Sequence, residues 1–310
     1  MTVLTKRRKL TLIINHILLK TDKSKIAIAD NCKMIRILDN SASSDHDPEE
    51  IKIDFEQNIR ALENQGDYLL AVTKTEIYKI DWNTGESSSV FAVQSGKLIN
   101  KFQRNTLLLN DGTLYNLVWS EKDQKYQMNY CSRAHSKGFR IATFLQKPDF
   151  LLIIENNLDG LCRGRMLTTT HKYNTITASI TFNLPKIPDM LDCNQKFGVF
   201  VFNSNQLNSN SNYVQLIHLE SGLLVKSIST STEKSTFCKI TEKNSEILLA
   251  KNNCNNLQIF SNNGRLKKDL KIGFQSNVLD IRDEMMCVAG FGDVVEVYRD
   301  LVFRSHCLAI

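Results

Sequence analysis

Short apolar runs recur along the chain, each followed by a polar turn and a second stretch in which apolar and polar residues alternate. Tyr68-Leu69-Leu70-Ala71 and Ile247-Leu248-Leu249-Ala250 show the pattern most clearly, because each leads at the same distance to an isoleucine (Ile80, Ile259) and then to a glycine (Gly85, Gly264). Ile217 and Gly222 repeat the last of these spacings. A run of this length with alternation after it reads as a strand, a tight turn and a second strand, and the glycine supplies a positive φ for the next turn. The local unit is therefore a three-stranded antiparallel meander.

Other segments fit the same template. Ile26-Ala27-Ile28-Ala29 turns through Asp30-Asn31 into Met34 to Ile37, and Leu107-Leu108-Leu109 turns at Asn110-Asp111-Gly112 into Leu114 to Trp119. Phe150 to Ile154 reaches Asp159-Gly160, Phe197 to Phe202 precedes the loop Asn203 to Asn212, and Met286 to Ala289 reaches Gly292-Asp293. The apolar strands start near residues 25, 68, 106, 150, 197, 247 and 286, so seven units of roughly 40 residues are expected, the spacing of β-propeller blades. The predicted fold is all-β: a single seven-bladed β-propeller of four-stranded antiparallel blades spanning residues 1–310.

A ring of sheets must protect its first and last edges, and an N-terminal strand that completes the final sheet does so. Leu10 to Ile14 is the candidate closing strand, with a partner near Phe303 to Ile310. Leu10, Ile13, Ile14, Ile17 and Leu18 also satisfy helical spacing, so this segment reads as either a strand or an amphipathic helix. Ser41 to Glu50, Asn203 to Asn212 and Ser229 to Thr236 read as solvated loops.

Ile80-Asp81-Trp82-Asn83-Thr84-Gly85 resembles the strand end and turn of WD40 repeats, and Asp111, Asp159 and Asp293 sit where that family often places a turn aspartate. No unit has both the Gly-His and Trp-Asp dipeptides, so the chain resembles a degenerate member. Its last unit, Val288-Ala289-Gly290-Phe291-Gly292-Asp293-Val294-Val295-Glu296-Val297-Tyr298 with Phe303-Arg304-Ser305 after it, is similar to the end of the THO complex subunit six family. That resemblance implies a nuclear, non-catalytic subunit of an assembly for messenger RNA processing and export. Its partners would be the other protein subunits, with RNA contacted weakly or indirectly. It carries no ligand residues, because the match falls on fold-forming positions.

Composition adds limits. With 310 residues, 42% of them hydrophobic and only 13 Gly and 4 Pro, the chain can bury a large core and must build many turns from Asn, Asp and Ser. No apolar window is long enough to span a membrane, and no cleavage site follows the basic N-terminus, so neither a membrane span nor secretion is expected. The net charge of +6 is concentrated: residues 1–40 hold nine basic against three acidic side chains, and the rest is balanced. Any footprint on a polyanion should lie at one end. Lys6-Arg7-Arg8-Lys9 is that end, and it reads as a nuclear-localisation signal, an RNA contact or a solvated tail. Four phosphate contacts to single-stranded RNA would give a salt slope of only about −3.

The eight cysteines are scattered with no Cys-x-x-Cys pair and read as reduced core thiols, so neither a metal site nor a disulfide framework is expected. No phosphate-binding loop, nucleophile elbow or His-Glu-x-x-His is present, so no catalytic or cofactor-binding residues are assigned and no enzymatic activity is expected. The carboxylates Asp45, Asp47, Glu49 and Glu50 read as a solvated loop, and Asp283-Glu284 as a turn. Tyr68, Tyr78, Phe200, Phe202 and Phe260 fall at core spacings. The functional expectation is a protein-interaction scaffold in a nuclear complex, with a cytoplasmic location as the alternative. A non-catalytic partner of an RNA-modifying enzyme of the tRNA methyltransferase type and a ubiquitin-ligase substrate receptor are the competing roles.

Overall fold

The computed structural model describes residues 3–7, 14–31, 33–40, 50–103, 105–133, 139–144, 150–156, 162–170, 175–204, 212–230, 233–251, 254–282, 285–290 and 294–298. These form 28 strands in seven four-stranded antiparallel sheets. After β1 (Val3–Arg7), the first blade contains β2 (Ile14–Leu19), β3 (Lys25–Asp30), β4 (Met34–Asp39) and β5 (Glu50–Asp54). The second contains β6 (Ala61–Asn64), β7 (Tyr68–Val72), β8 (Glu76–Asp81) and β9 (Ser87–Ala92), and the third β10 (Ile99–Gln103), β11 (Thr106–Leu109), β12 (Thr113–Ser120) and β13 (Lys125–Arg133). The fourth has β14 (Phe139–Phe144), β15 (Phe150–Asn156), β16 (Cys162–Thr170) and β17 (Thr175–Leu184), and the fifth β18 (Met190–Cys193), β19 (Phe197–Phe202), β20 (Tyr213–His218) and β21 (Leu223–Ser229). The sixth has β22 (Ser235–Ile240), β23 (Ile247–Lys251), β24 (Asn256–Phe260) and β25 (Leu266–Lys271). The seventh has β26 (Ser276–Arg282), β27 (Met285–Gly290) and β28 (Val294–Tyr298), with β1 beside β28.

The seven expected apolar starts are the second strands of the seven blades. Those strands are buried along most of their length because each sheet is covered on both faces by its neighbours. Ile35, Ile37 and Trp82 pack between the first and second blades, and Leu70, Val72 and Leu107 between the second and third. Phe182 and Phe200 pack edge-to-face between the fourth and fifth, with ring centroids 5.6 Å apart. Leu249 and Val201 join the fifth to the sixth, Leu248 and Val288 the sixth to the seventh, and Ile28 and Cys287 the first to the seventh. The first strand of each blade is innermost, and contacts between β26 and β2, β2 and β6, β10 and β14, β14 and β18, β18 and β22, and β22 and β26 run around the axis. Five of these inner strands carry a register shift near their start, at Ile14/His16, Ile99/Lys101, Phe139/Ile141, Ser235/Phe237 and Ser276/Val278, which bends them toward the ring.

One alternative left open by the sequence is resolved and one expectation is corrected. Ile14–Leu19 is a strand: Ile14, Ile17 and Leu19 face the seventh blade and Leu18 faces the second, so burial on both sides produced an apolar run that imitates a helix. The strand beside β28 is Val3–Arg7, in register from Val3 opposite Tyr298 to Arg7 opposite Val294, rather than Leu10 to Ile14. Ile14 is already committed to the innermost strand of the first blade. Leu10, Ile13 and Phe303 to Ile310 lie outside the described residues.

Turn chemistry follows the sequence closely. Asp81 Oδ1 accepts the backbone N–H groups of Asn83 (2.7 Å) and Thr84 (2.8 Å), and Gly85 takes φ +74°. These N–H donors hold the Asp81 carboxyl below its ordinary range. Trp82 is fully buried, and its carbonyl accepts from Lys25 Nζ at 3.0 Å. Gly290 is different, because a Cβ there would lie 2.0 Å from the Gln275 carbonyl oxygen and 2.8 Å from Ser276 Cα. Gly290→Ala should therefore cost about 3 kcal/mol by overpacking against backbone. Gly66→Ala, where φ is +74° and nothing lies within 4 Å, should cost about 1 kcal/mol. Urea denaturation of the two variants checks the difference, and equal losses would contradict this close packing.

Candidate functional site

The basic cluster is split by the fold. Lys6 and Arg7 belong to β1, while Arg8 and Lys9 lie outside the described residues. Arg7 pairs with Val294, the first residue of β28, so β1 ends on the face that carries the turns between second and third strands. The same face holds the exposed cations Lys33, Arg60, Lys74, Lys186 and Lys234, drawn from several blades. Arg60 Nη1 donates to the Ile99 carbonyl (3.1 Å) and Lys186 Nζ to the Asn203 carbonyl (2.7 Å), so those two tie neighbouring segments together. The exposed carboxylates Asp54, Glu56, Asp111 and Asp189 are interspersed. Among the described residues this face is of mixed sign, without the continuous basic track that nucleic-acid backbones select.

Ionisable side chains of the inner strands meet across the axis. His16 on the first blade interacts with Lys101 on the third, and Lys101 with Asp192 and Lys239 on the fifth and sixth. Interactions that skip blades require groups pointing at a common centre. Lys239 Nζ stands 3.7 Å from Asp192 Oδ1, and Asp192 Oδ2 accepts the Ile240 N–H at 2.8 Å. Asp280 Oδ2 accepts the Leu19 N–H at 2.9 Å, repeating that carboxylate-to-backbone link between the seventh and first blades. The enclosing walls dehydrate Lys101 and hold its ammonium below the ordinary range, whereas Asp192 raises Lys239. Burial pushes the Cys193 and Cys238 thiols up, which leaves them protonated and poor nucleophiles.

Sequence reasoning missed this axial group because its members lie at unrelated positions in five different strands. It also placed Tyr68 and Tyr78 in the core, whereas both are only partly buried; Phe200, Phe202 and Phe260 are core residues. Tyr68 and Trp119 flank the Lys79 ammonium, which lies 4.5 Å and 4.8 Å from their ring centroids. Tyr126 packs edge-on to Trp119. On the opposite face, a cleft of about 370 Å³ lies between the fifth and sixth blades, lined by Asn194, Lys196, Glu242, Lys243 and Ser245 among others. All of Asn194's side-chain bonds there go to the surrounding turns. Of the acidic loop only Glu50 is described, as part of β5 beside Arg36, and Asp283 and Glu284 lie outside the described residues. Among the described residues no three His, Cys, Asp or Glu side chains group as a metal site.

This architecture is that of a seven-bladed β-propeller of four-stranded antiparallel blades. Among solved structures the chain is similar to the WD40 β-propeller domain of Doa1, with a TM-score of 0.61 over 93% of this chain and 95% of that one, at 14% identity. No family model and no curated protein matches the chain. The comparisons thus define the fold, and none of them selects the THO-type family.

The axial group makes two testable statements. Asp192→Ala removes the acceptor of the Ile240 N–H and the counter-charge of Lys239, and should cost about 2 kcal/mol in chemical denaturation, with Asp192→Asn costing less. Burial and then Lys101 lower the His16 pKa from 6.5 to about 4, against a smaller contribution from the Ile59 backbone. The unfolded chain therefore binds the extra proton between those values. Stability due to neutral His16 should be complete above pH 6.5 and fall as pH drops toward 4, by at most about 1.4 kcal/mol per pH unit. A pH series of unfolding curves for the wild type and His16→Asn checks this, with the slope reduced in the variant.

Proposed function

We propose that this protein is a non-catalytic scaffold that holds several protein partners in a multiprotein assembly. The observation that carries this reading is the distribution of its surfaces. The faces of the sheets are consumed by blade-to-blade packing and the axial charges by one another and by backbone, which leaves loops from every blade and the outer strands for other molecules. The fold supports a rigid platform without naming its partners. The narrower reading is a nuclear messenger RNA-processing and export complex of the THO type, supported by the resemblance of the Val288 to Tyr298 segment and by Lys6-Arg7-Arg8-Lys9 as a nuclear-localisation signal.

Native affinity purification with mass spectrometry of co-purifying proteins tests both levels. Recovery of several export-complex subunits in fixed proportion is the expected result. A methyltransferase or a cullin adaptor in their place would replace the narrower reading, and a chain recovered alone would remove the broader one. For the basic cluster, alanine substitution is a poor test because Lys6 and Arg7 sit in β1. Threonine at 6 and 7 with serine at 8 and 9 keeps strand propensity. That variant should shift the protein from nucleus to cytoplasm in cell imaging, with the melting temperature lowered by no more than about 2 °C, the change expected of surface substitutions.

A further inference from the structure

Among the described residues, the outer strand of the fifth blade exposes the longest run of consecutive large apolar side chains. Leu223, Leu224 and Val225 of β21 are 68%, 53% and 46% exposed, three consecutive apolar residues on a strand hydrogen-bonded to β20 on one side only. Exposure of consecutive residues means that neither face of the strand is covered there. At the corresponding edges the chain uses Ser87-Ser88-Ser89 in β9 and Lys267-Lys268-Asp269 in β25, the polar protection expected of free edges. The sixth blade packs against this strand. Its turn at Gly264 rests on β21, where a Cβ would lie 3.1 Å from the Lys226 side chain, and Leu266 two residues later is 50% exposed.

The charges around this edge select the occupant. Lys226 on this strand and Arg265, next to the Gly264 turn that packs on it, are exposed, as are Lys268 and Lys271 on the sixth blade's outer strand; the exposed carboxylates are Glu220 and Asp269, while Lys267 is paired with Glu246 at 2.6 Å. Two copies of the chain meeting edge to edge in a register centred on Lys226 would bring that ammonium onto its own copy, which opposes that pairing. We propose that β21 is a docking edge for an extended partner segment that alternates apolar and acidic residues and adds to the blade as a fifth strand. Backbone bonds along β21 would supply register and the Leu223 to Val225 patch would bury the partner's apolar side chains, while the lysines and Arg265 face its carboxylates. The proposal rests on the scaffold reading and assigns one of its surfaces.

Selection of a displayed random 12-residue peptide library on the full-length protein tests it. Recovered peptides should be rich in β-branched residues and Asp or Glu and poor in Pro, and should slow amide exchange over 223–229. Leu224→Thr with Val225→Thr keeps strand propensity and should weaken their binding about tenfold or more, from loss of one buried aliphatic contact. Lys226→Glu should weaken it as well. Basic, proline-rich or helical peptides, binding indifferent to these variants, or a dimer abolished by them would each overturn the proposal. In cell purifications the Thr/Thr variant should lose one partner. An unchanged partner set would overturn the docking edge and leave the scaffold reading intact, whereas a wild-type chain without partners would sink both.

Discussion

Face-to-face burial between neighbouring blades is the constraint on which the molecule depends. A single four-stranded sheet with Leu-Leu-Ala or Ala-Ile-Ala at its centre is apolar on both faces and cannot satisfy both alone. Stacking blades covers the faces pairwise, but any open stack leaves two end faces bare. Only a ring covers them all. The same requirement explains why Ile14, Ile17 and Leu19 pack on the seventh blade, and why the chain's start is spent as β1 on the chain's last described strand. The clasp joins β1 to β28, so the seventh blade has its four strands only when both segments are present.

The axis follows from the ring. Radial sheets bring seven inner strands together edge-on, where their outward backbone groups cannot pair as a normal ladder. Asp192 and Asp280 take up two of those N–H groups from the next blade, and Asn64 donates to the Leu19 carbonyl at 3.2 Å. Polar side chains at the centre are therefore fasteners between blades. The Lys239 ammonium there stands 3.7 Å from the Asp192 carboxylate, so the link to the Ile240 N–H and the ion pair act on the same two blades.

What was legible in the sequence was whatever repeats locally. Apolar second strands, the Asp81 turn and glycines such as Gly85 and Gly264 recur at near-constant spacing, so blade number and strand starts could be read directly. Features defined by closure could not. Val3–Arg7 carries the charges of a tail and gives no local sign of being a strand, and the helical spacing of Ile14, Ile17 and Leu18 came from burial on two sides. The axial residues His16, Lys101, Asp192, Lys239 and Asp280 converge only after the ring is formed, and each alone is an unremarkable polar residue in a strand. Tyr68 was misplaced because periodicity reports which side of a sheet a residue takes, while depth within the blade depends on the neighbouring blade's Trp119.

Division of labour between axis and rim follows from the same geometry. Inner strands touch two other blades and the axial group, so a change there propagates around the ring and should be read as lost stability. An outer strand such as β21 is bonded to one strand, and its loss of apolar surface costs the fold little because that surface was never buried. Loops and outer edges can therefore vary in sequence without loosening the ring, which is the physical reason a propeller can change partners while keeping its shape. Among the described outer strands, β21 carries consecutive exposed apolar residues where β9 has Ser87-Ser88-Ser89 and β25 has Lys267-Lys268-Asp269, so its free edge lacks the polar side chains that guard the other two.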